Sequence, residues 1–241
     1  MSETITFTID GTSIAAQKGQ TILEAADDNG VYIPRLCWAK KLMPGGTCRI
    51  CTVMVNGRPQ AACTQPAAEG IEVQNDVEPL RTYRKNLVEM LFVEGNHFCM
   101  FCEKSGNCEL QAMGYRLGIM AEKYPFMCQQ RDVDASHPDV LIDHNRCILC
   151  GRCIRASRDL DGKTVFQFVG RGLKKKIGVN AEFNLAGANL KVADEAVTLC
   201  PVGAILRKRI GFAIPVGKRL YDHQPIGSDI EAKAPGAHPG K

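Results

Sequence analysis

The sequence predicts an α+β protein built from small units held together by metal, and three observations lead there. Residues 4–63 run hairpin, helix, hairpin, the order of a small mixed sheet crossed by one helix. A helical repeat follows behind Pro79. Twelve cysteines stand against one tryptophan, five tyrosines and nine phenylalanines, so something other than aromatic packing ties the chain together.

Each element has a local cause. Residues 4–9, TITFTI, alternate like a half-buried strand, Asp10-Gly11 turns the chain, and TSIAA returns it. Thr21 is placed to cap a helix with Glu24 three residues on; Ile22, Leu23, Ala25 and Ala26 give its apolar face, and Asn29-Gly30 its stop. Beyond a Gly- and Cys-rich loop, CTVMV and RPQAAC flank Asn56-Gly57, a strong two-residue hairpin signal. From Val77 to Glu94, Leu80, Tyr83, Leu87 and Leu91 recur at helical spacing. CELQAMGYRLGIM predicts a second, short helix. A mostly polar stretch between Pro125 and Pro138 reads as a linker, a further compact unit begins near Val140, and the Pro-, Gly- and Ala-rich end from Asp222 reads as a disordered tail. The units are therefore 1–78, 79–124, a linker 125–139, 140–221 and a flexible tail 222–241.

The cysteines form three groups. Cys37, Cys48, Cys51 and Cys63 are spaced C-x10-C-x2-C-x11-C on a loop reading MPGGTCRIC. Glycines let backbone amides turn toward sulfur and stabilise an anionic cluster, so a 2Fe-2S centre is preferred; structural zinc favours two close pairs, and only one pair here is close. Cys147, Cys150 and Cys153 form C-x2-C-x2-C, with Cys200-Pro201 downstream. Two-cluster ferredoxins duplicate that pattern, but Ser157 stands where one further cysteine belongs, and Leu190, Ala193 and Ala196 stand where a second run belongs. One 4Fe-4S cluster is predicted from the surviving three-plus-one set. The middle group, Cys99, Cys102 and Cys108, is one ligand short of a cubane. Candidates for its fourth iron are His97, preferred because imidazole replaces thiolate in known iron-sulfur ligation, and Cys128, with another ligand or an open position as the remaining choices. With His97 as ligand, Cys128 becomes a small buried hydrophobe.

Composition excludes other classes. The N-terminus lacks a basic region followed by an apolar one, and no apolar run approaches the roughly 18 residues of a membrane helix, so a cytoplasmic protein with metal-bound rather than disulfide-bonded thiols is expected. The formal charge of +4 does not predict nucleic-acid binding: seven Lys/Arg face three Asp/Glu from Arg207 onward, and the first 206 residues balance at 23 against 23. No G-x-G-x-x-G after a strand, P-loop or nucleophile elbow is present, so no catalytic residue is assigned. RKRIGFAIPVGKRLYD, residues 207–222, mixes cations with an apolar centre and is expected to pack on a partner subunit, or else to form a terminal strand on its own unit.

The order of these sites, with H-x-C-x2-C-x5-C in the middle, resembles the N-terminal part of the iron-sulfur large subunit of respiratory complex I, whose middle motif usually reads H-x3-C-x2-C-x5-C; Gly95 occupies that usual histidine position. GNHFCMFCEKSGNCELQAMGYRLG and CPVGAILRKRIGFAIPVGKRL are similar to the short diaphorase gamma subunits of cytosolic NAD-reducing nickel-iron hydrogenases, over about residues 1–220. The resemblance implies a beta-grasp ferredoxin fold for roughly residues 1–78, and a role as an electron carrier with one 2Fe-2S and two 4Fe-4S clusters. Its implied partners are a flavin/NAD-binding subunit and nickel-iron hydrogenase small and large subunits, with FMN, NAD and the nickel-iron centre lying in them. The equivalent subunit of an NAD-dependent formate dehydrogenase, an iron-only hydrogenase or complex I is the alternative within the redox class. A zinc-stapled interaction module is the alternative outside it.

Overall fold

The structure, a computed structural model, describes residues 3–234. Its first unit is a five-stranded mixed sheet in the order β2–β1–β5–β3–β4. Strands β1 (Thr4–Ile9) and β2 (Thr12–Gln17) pair antiparallel, as do β3 (Thr52–Val55) and β4 (Arg58–Ala61). Both hairpins turn on two left-handed residues, Asp10-Gly11 with φ 48° and 79° and Asn56-Gly57 with φ 46° and 76°, the geometry that matches strand twist. Helix α1 (Ile22–Asp28) starts in the expected capping box: Thr21 Oγ1 accepts from Glu24 N at 3.2 Å and Thr21 N donates back to Glu24 Oε2 at 2.9 Å. The expected mixed sheet crossed by one helix is thus present, with one strand more than the sequence pattern indicates. Strand β5 (Glu72–Gln74) lies between β1 and β3, parallel to β1, and three residues are too few to show an alternation.

Helix α2 (Glu78–Glu94) departs from its apolar repeat. Leu80, Arg84, Val88, Glu89 and Val93 are the buried positions, and Tyr83 is exposed. The cause is Arg84, whose guanidinium donates to Ile50 O at 3.2 Å, Thr52 O at 2.8 Å, Asn75 O at 2.8 Å and Asn75 Oδ1 at 2.8 Å. Four acceptors turned toward one donor fork rotate the helix about that cation. Helix α3 (Glu109–Arg116) is the expected short one.

The third unit is a three-stranded sheet, β10–β7–β6, with a separate hairpin and two helices. It comprises β6 (Val133–Asp134), β7 (Val140–Asp143), α4 (Arg152–Asp159), the hairpin β8 (Phe166–Val169) and β9 (Lys176–Val179), α5 (Glu195–Thr198) and β10 (Ile205–Arg207). The expected linker is therefore corrected in its second half, because β6 adds an edge to β7. The expected disordered tail is corrected up to residue 234. Ile226 and Ile230 are buried, α6 (Ser228–Glu231) closes on Arg116, which donates to Ile226 O at 2.8 Å, and Gly227, at φ 94°, lies against the ring of Tyr32. The remainder of the tail lies outside the described residues.

Residues of all three units share one core, in which Leu36 and Ile50 meet Val88, Leu110, Met113, Val140, Phe166 and Val202. A second core, with Phe7, Ile14, Leu23 and Val53, belongs to the first sheet alone. Beyond β10 the chain leaves the sheet, so the terminal-strand alternative for residues 207–222 holds only at Arg207. Ile210, Phe212, Ile214 and Val216 are all exposed. The segment then returns to the middle unit, where Tyr221 N donates to Gly106 O and Leu220 N to Asn107 Oδ1, each at 2.9 Å.

Candidate metal centres

The first cysteine group converges on the long loop between α1 and β3. Cys37, Cys51 and Cys63 are buried and Cys48 is half-buried. Hydrogen bonding among these sulfurs divides them: Cys48 and Cys63 hold the Cys37 thiol well below its ordinary value, and Cys63 draws Cys51 down to about 7. Cys48 and Cys63 are pushed up as the donating partners. Several amides face sulfur: Cys37 N donates to Cys48 Sγ at 3.4 Å, and the amides of Ile50 and Cys63 also face Cys48 and Cys51. The expected role of the loop glycines is met differently, since none of these amides belongs to a glycine. Gly45 instead leaves room for Arg155, whose Cζ would stand 3.2 Å from a Cβ placed there.

The third group lines a small apolar cavity. Cys147, Cys150, Cys153 and Cys200 share its wall with Ile142, Ile148, Ile177 and Val202. Leu149 at φ 52° and Gly151 at φ 68° bend the C-x2-C-x2-C run around the cavity, and α4 begins within it, directly after Gly151, so that Cys153 stands in the helix's first turn. Burial pushes the Cys147 thiol up to about 11 and that of Cys150 up to about 12, and raises Cys153 as well. A thiolate in an apolar wall needs a compensating cation, which a bound metal would supply while displacing the protons. Ser157, standing where a second cubane would take a cysteine, serves the fold instead: Val165 N donates to its Oγ at 2.9 Å.

The middle group brings one of the two candidate fourth ligands to its cysteines. Cys99, Cys102 and Cys108 line one enclosed cavity together with His97, Phe92, Arg146 and Gly203. Burial, then the Arg146 charge, pushes His97 down to about 4, so its imidazole is neutral at ordinary pH and free to donate a lone pair. Phe92 holds the ring edge-on at 5.8 Å between centroids. Burial raises Cys99, and pushes Cys108 up to about 12. Cys128 does not line this cavity, and it is half-buried rather than buried, its Sγ near Gln129 O at 3.7 Å. The expectation of a small buried hydrophobe there is corrected: Phe126 and Met127 beside it are exposed, so the segment has no interior to enter.

Two residues of this site, Gly203 and Arg146, were absent from the sequence reading, and Gly95 was named there only as the position where a histidine is usual. A Cβ on Gly95 would stand 2.5 Å from His97 Nε2, and one on Gly203 would stand 2.7 Å from Cys102 Sγ, so both glycines cradle side chains that face the cavity. Arg146 faces the cavity while donating to Glu103 Oε2 at 2.9 Å. Its position beside Cys147 was the available signal.

Hydrogen bonds join the three loops. Arg155 Nη2 donates to Cys37 O at 2.5 Å and to Cys150 O at 3.2 Å, linking the first and third groups. Glu109 N donates to Pro201 O at 2.9 Å, linking the residue after Cys108 to the residue after Cys200. The third group's loops therefore contact both of the others. Arg152, buried in α4, makes a two-pronged pair with Glu109, each contact 2.6 Å, across the same boundary.

Comparison with known proteins follows the same division. Residues 2–78 match the family described as 2Fe-2S iron-sulfur cluster binding domain, residues 84–123 the NADH-ubiquinone oxidoreductase-G iron-sulfur binding region, and residues 137–206 the ferredoxin-like domain of NADH-quinone oxidoreductase subunit 3. These matches set aside the zinc-stapled alternative. The NAD-reducing hydrogenase HoxS subunit gamma of Cupriavidus necator is 43% identical over 223 residues, covering 92% of this chain and 95% of the relative. The mitochondrial NADH-ubiquinone oxidoreductase 78 kDa subunit of Candida albicans is 35% identical over 85% of this chain, and the NADPH-Fe(3+) oxidoreductase subunit alpha of Geobacter sulfurreducens 34% over 86%. The chain spans only 29% and 24% of those two longer proteins. A crystal structure of NAD+-reducing NiFe-hydrogenase in the H2-reduced state contains a chain that superposes with a TM-score of 0.91 at 45% identity, over 96% of this chain and 99% of that one.

Proposed function

The chain belongs to the family of gamma subunits of NAD-reducing hydrogenase, iron-sulfur electron-transfer subunits of that oxidoreductase complex, and we propose that it carries one 2Fe-2S and two 4Fe-4S clusters on the three ligand groups described above. Cys37, Cys48, Cys51 and Cys63 hold the 2Fe-2S cluster. His97, Cys99, Cys102 and Cys108 hold one 4Fe-4S cluster, and Cys147, Cys150, Cys153 and Cys200 the other. The observation that carries this assignment is the shared cavity of the middle group, where a neutral imidazole and three cysteines face one space walled by Phe92 and Leu110. When bound, such a cluster supplies a one-electron couple whose potential is set by ligand type, burial and hydrogen bonds to sulfur.

The residues of this chain act on that couple from outside. Burial excludes water from the third group, Arg146 places a positive charge at the middle group, and Cys37 N–H points at sulfur in the first. The loop contacts support a relay in the spatial order first, third, middle. Flavin and NAD chemistry belongs to one partner subunit, and hydrogen chemistry to nickel-iron small and large subunits. We place the complex in the cytoplasm; no helix among the described residues is long and apolar enough to cross a membrane. The exposed apolar line Ile210, Phe212, Ile214 and Val216 borders a groove of about 510 Å³ that reaches Glu103, next to the ligand Cys102, and is proposed to seat a partner subunit there.

The test is metal analysis of the assembled complex isolated without oxygen. About ten irons per chain, with matching acid-labile sulfide and nickel in the complex, are expected from two plus four plus four. Zinc in place of iron, or molybdenum or tungsten in place of nickel, would overturn the assignment. His97→Ala should remove or alter one 4Fe-4S paramagnetic signal only, and Cys128→Ala none.

A further inference from the structure

Arg155 sits on α4, two residues after Cys153, and its whole guanidinium is committed to main-chain carbonyls. Nη1 donates to Met43 O at 2.5 Å, Nη2 to Cys37 O at 2.5 Å and to Cys150 O at 3.2 Å, and Nε to Gly151 O at 3.3 Å. No carboxylate pairs with it among the described residues. Two of the four acceptors belong to ligand residues, one in the first group and one in the third, and a single nitrogen touches both. The facing loop is shaped for this fork, since a Cβ on Gly45 would stand 3.2 Å from Cζ and 3.3 Å from Nη2.

A fixed planar fork is the side chain that can hold carbonyls from separate loops at once, whereas a lysine offers a point charge on a flexible stem. The fork also gives a direct hydrogen-bonded route between the two ligand groups, with Nη2 donating to both Cys37 O and Cys150 O. We propose that Arg155 is the positioning residue that locks the Cys37 and Cys150 loops together and thereby sets the electronic contact between the first and third groups. The proposal rests on the assignment of clusters to those groups. The transfer it governs is one electron leaving one cluster and entering the other, with no proton or bond change at the guanidinium.

The experiment uses the assembled complex bearing Arg155→Lys, Arg155→Met or Gly45→Ala, the last keeping the arginine but pushing it with a methyl. Iron and sulfide content is measured first, and a deficit in the unmodified complex defeats the cluster assignment rather than this proposal. Midpoint potentials of the two centres are then titrated by paramagnetic resonance, and their reduction after mixing with NADH is followed by rapid freezing. Arg155→Lys should keep both potentials yet slow the exchange between the two centres by about tenfold or more, the scale on which ångström errors of placement act. Arg155→Met should slow it equally and lower both potentials, because a nearby cation favours the more negative, reduced state. Gly45→Ala should slow it less. Loss of iron from these two groups alone, with the middle signal intact, would also support a lock between their loops. Unmoved exchange rates in fully loaded variants, or loss of all three signals together, would overturn the proposal.

Discussion

Gly95→Ala tests the middle site through a single methyl group. Gly95 has φ −112°, a conformation alanine adopts freely, so backbone strain plays no part. Its Cβ would stand 2.5 Å from His97 Nε2, 2.9 Å from His97 Cδ2 and 3.0 Å from Asn145 O. Non-bonded heavy atoms settle at about 3.5 Å or beyond, so something must retreat by about 1 Å. The carbonyl is anchored, accepting from Asn96 N at 2.7 Å, and the imidazole therefore moves. Overpacking of this kind costs about 1–3 kcal/mol, and here the displaced group is the proposed ligand. The assay is paramagnetic resonance on the reduced complex, with iron counted and subunit composition checked. The middle 4Fe-4S signal should be lost or shifted while the other two persist, and His97→Cys should restore a four-ligand site at a lower potential, since it adds one negative charge. A Gly95→Ala complex with an unchanged middle signal and full iron would refute the assignment of His97 as ligand.

Acid should find the same residue. Burial and the Arg146 charge hold the folded imidazole's pKa below its ordinary 6.5, so a released histidine takes up a proton that the seated one does not, and the site weakens as pH falls below about 6.5. The middle cluster should therefore be the first lost in an acid titration followed by absorbance and resonance, and equal loss of all three would contradict this. Gly203→Ala should disturb the same signal from the opposite wall, because its Cβ would meet Cys102 Sγ at 2.7 Å. Glu109→Ala leaves Arg152 buried without its partner, a loss of roughly 3 kcal/mol that calorimetry would read as a Tm fall of roughly 10 °C. Adding Arg152→Leu should recover much of that fall. Phe212→Asp combined with Ile214→Asp should leave the chain folded and loaded, since both side chains are exposed, but release a partner subunit on size exclusion; an intact complex would rule out the groove as its seat.

Much of this was legible in the sequence because local chemistry specifies it. Asn56-Gly57 demands a two-residue hairpin wherever it sits between strands, and Thr21 with Glu24 demands a helix start. Cysteine spacing likewise indicates which sulfurs belong together. What escaped depends on distant partners. Strand β5 exists because β1 and β3 leave a slot for three residues. The buried face of α2 was misjudged because Arg84 finds four acceptors in another unit. Gly95 looks like an ordinary helix terminus in one dimension, and only the placement of the imidazole shows that its missing side chain is the useful part.

The arginines explain why three small units behave as one body. No unit of this size buries a large core alone, and the shared core is supplemented at every boundary by a guanidinium. Arg84 reaches from α2 to carbonyls of the first sheet, Arg155 from α4 to the first cysteine loop, and Arg146 and Arg152 from the third unit to Glu103 and Glu109 of the middle one. Arg116 fastens α6 and the end of the described chain to α3. Burial pulls Arg84 down to about 10, which still leaves it charged at neutral pH, so this bracing does not switch off in the range where the complex works. A guanidinium offers several donors, and those of Arg146 and Arg152 leave their charge beside cysteines of the middle and third groups, favouring each reduced state. Bracing and tuning are thus the same interaction. It follows that removing the charge at Arg146, Arg152 or Arg155 should move stability and potential together, whereas substitutions in the apolar cores should move stability alone.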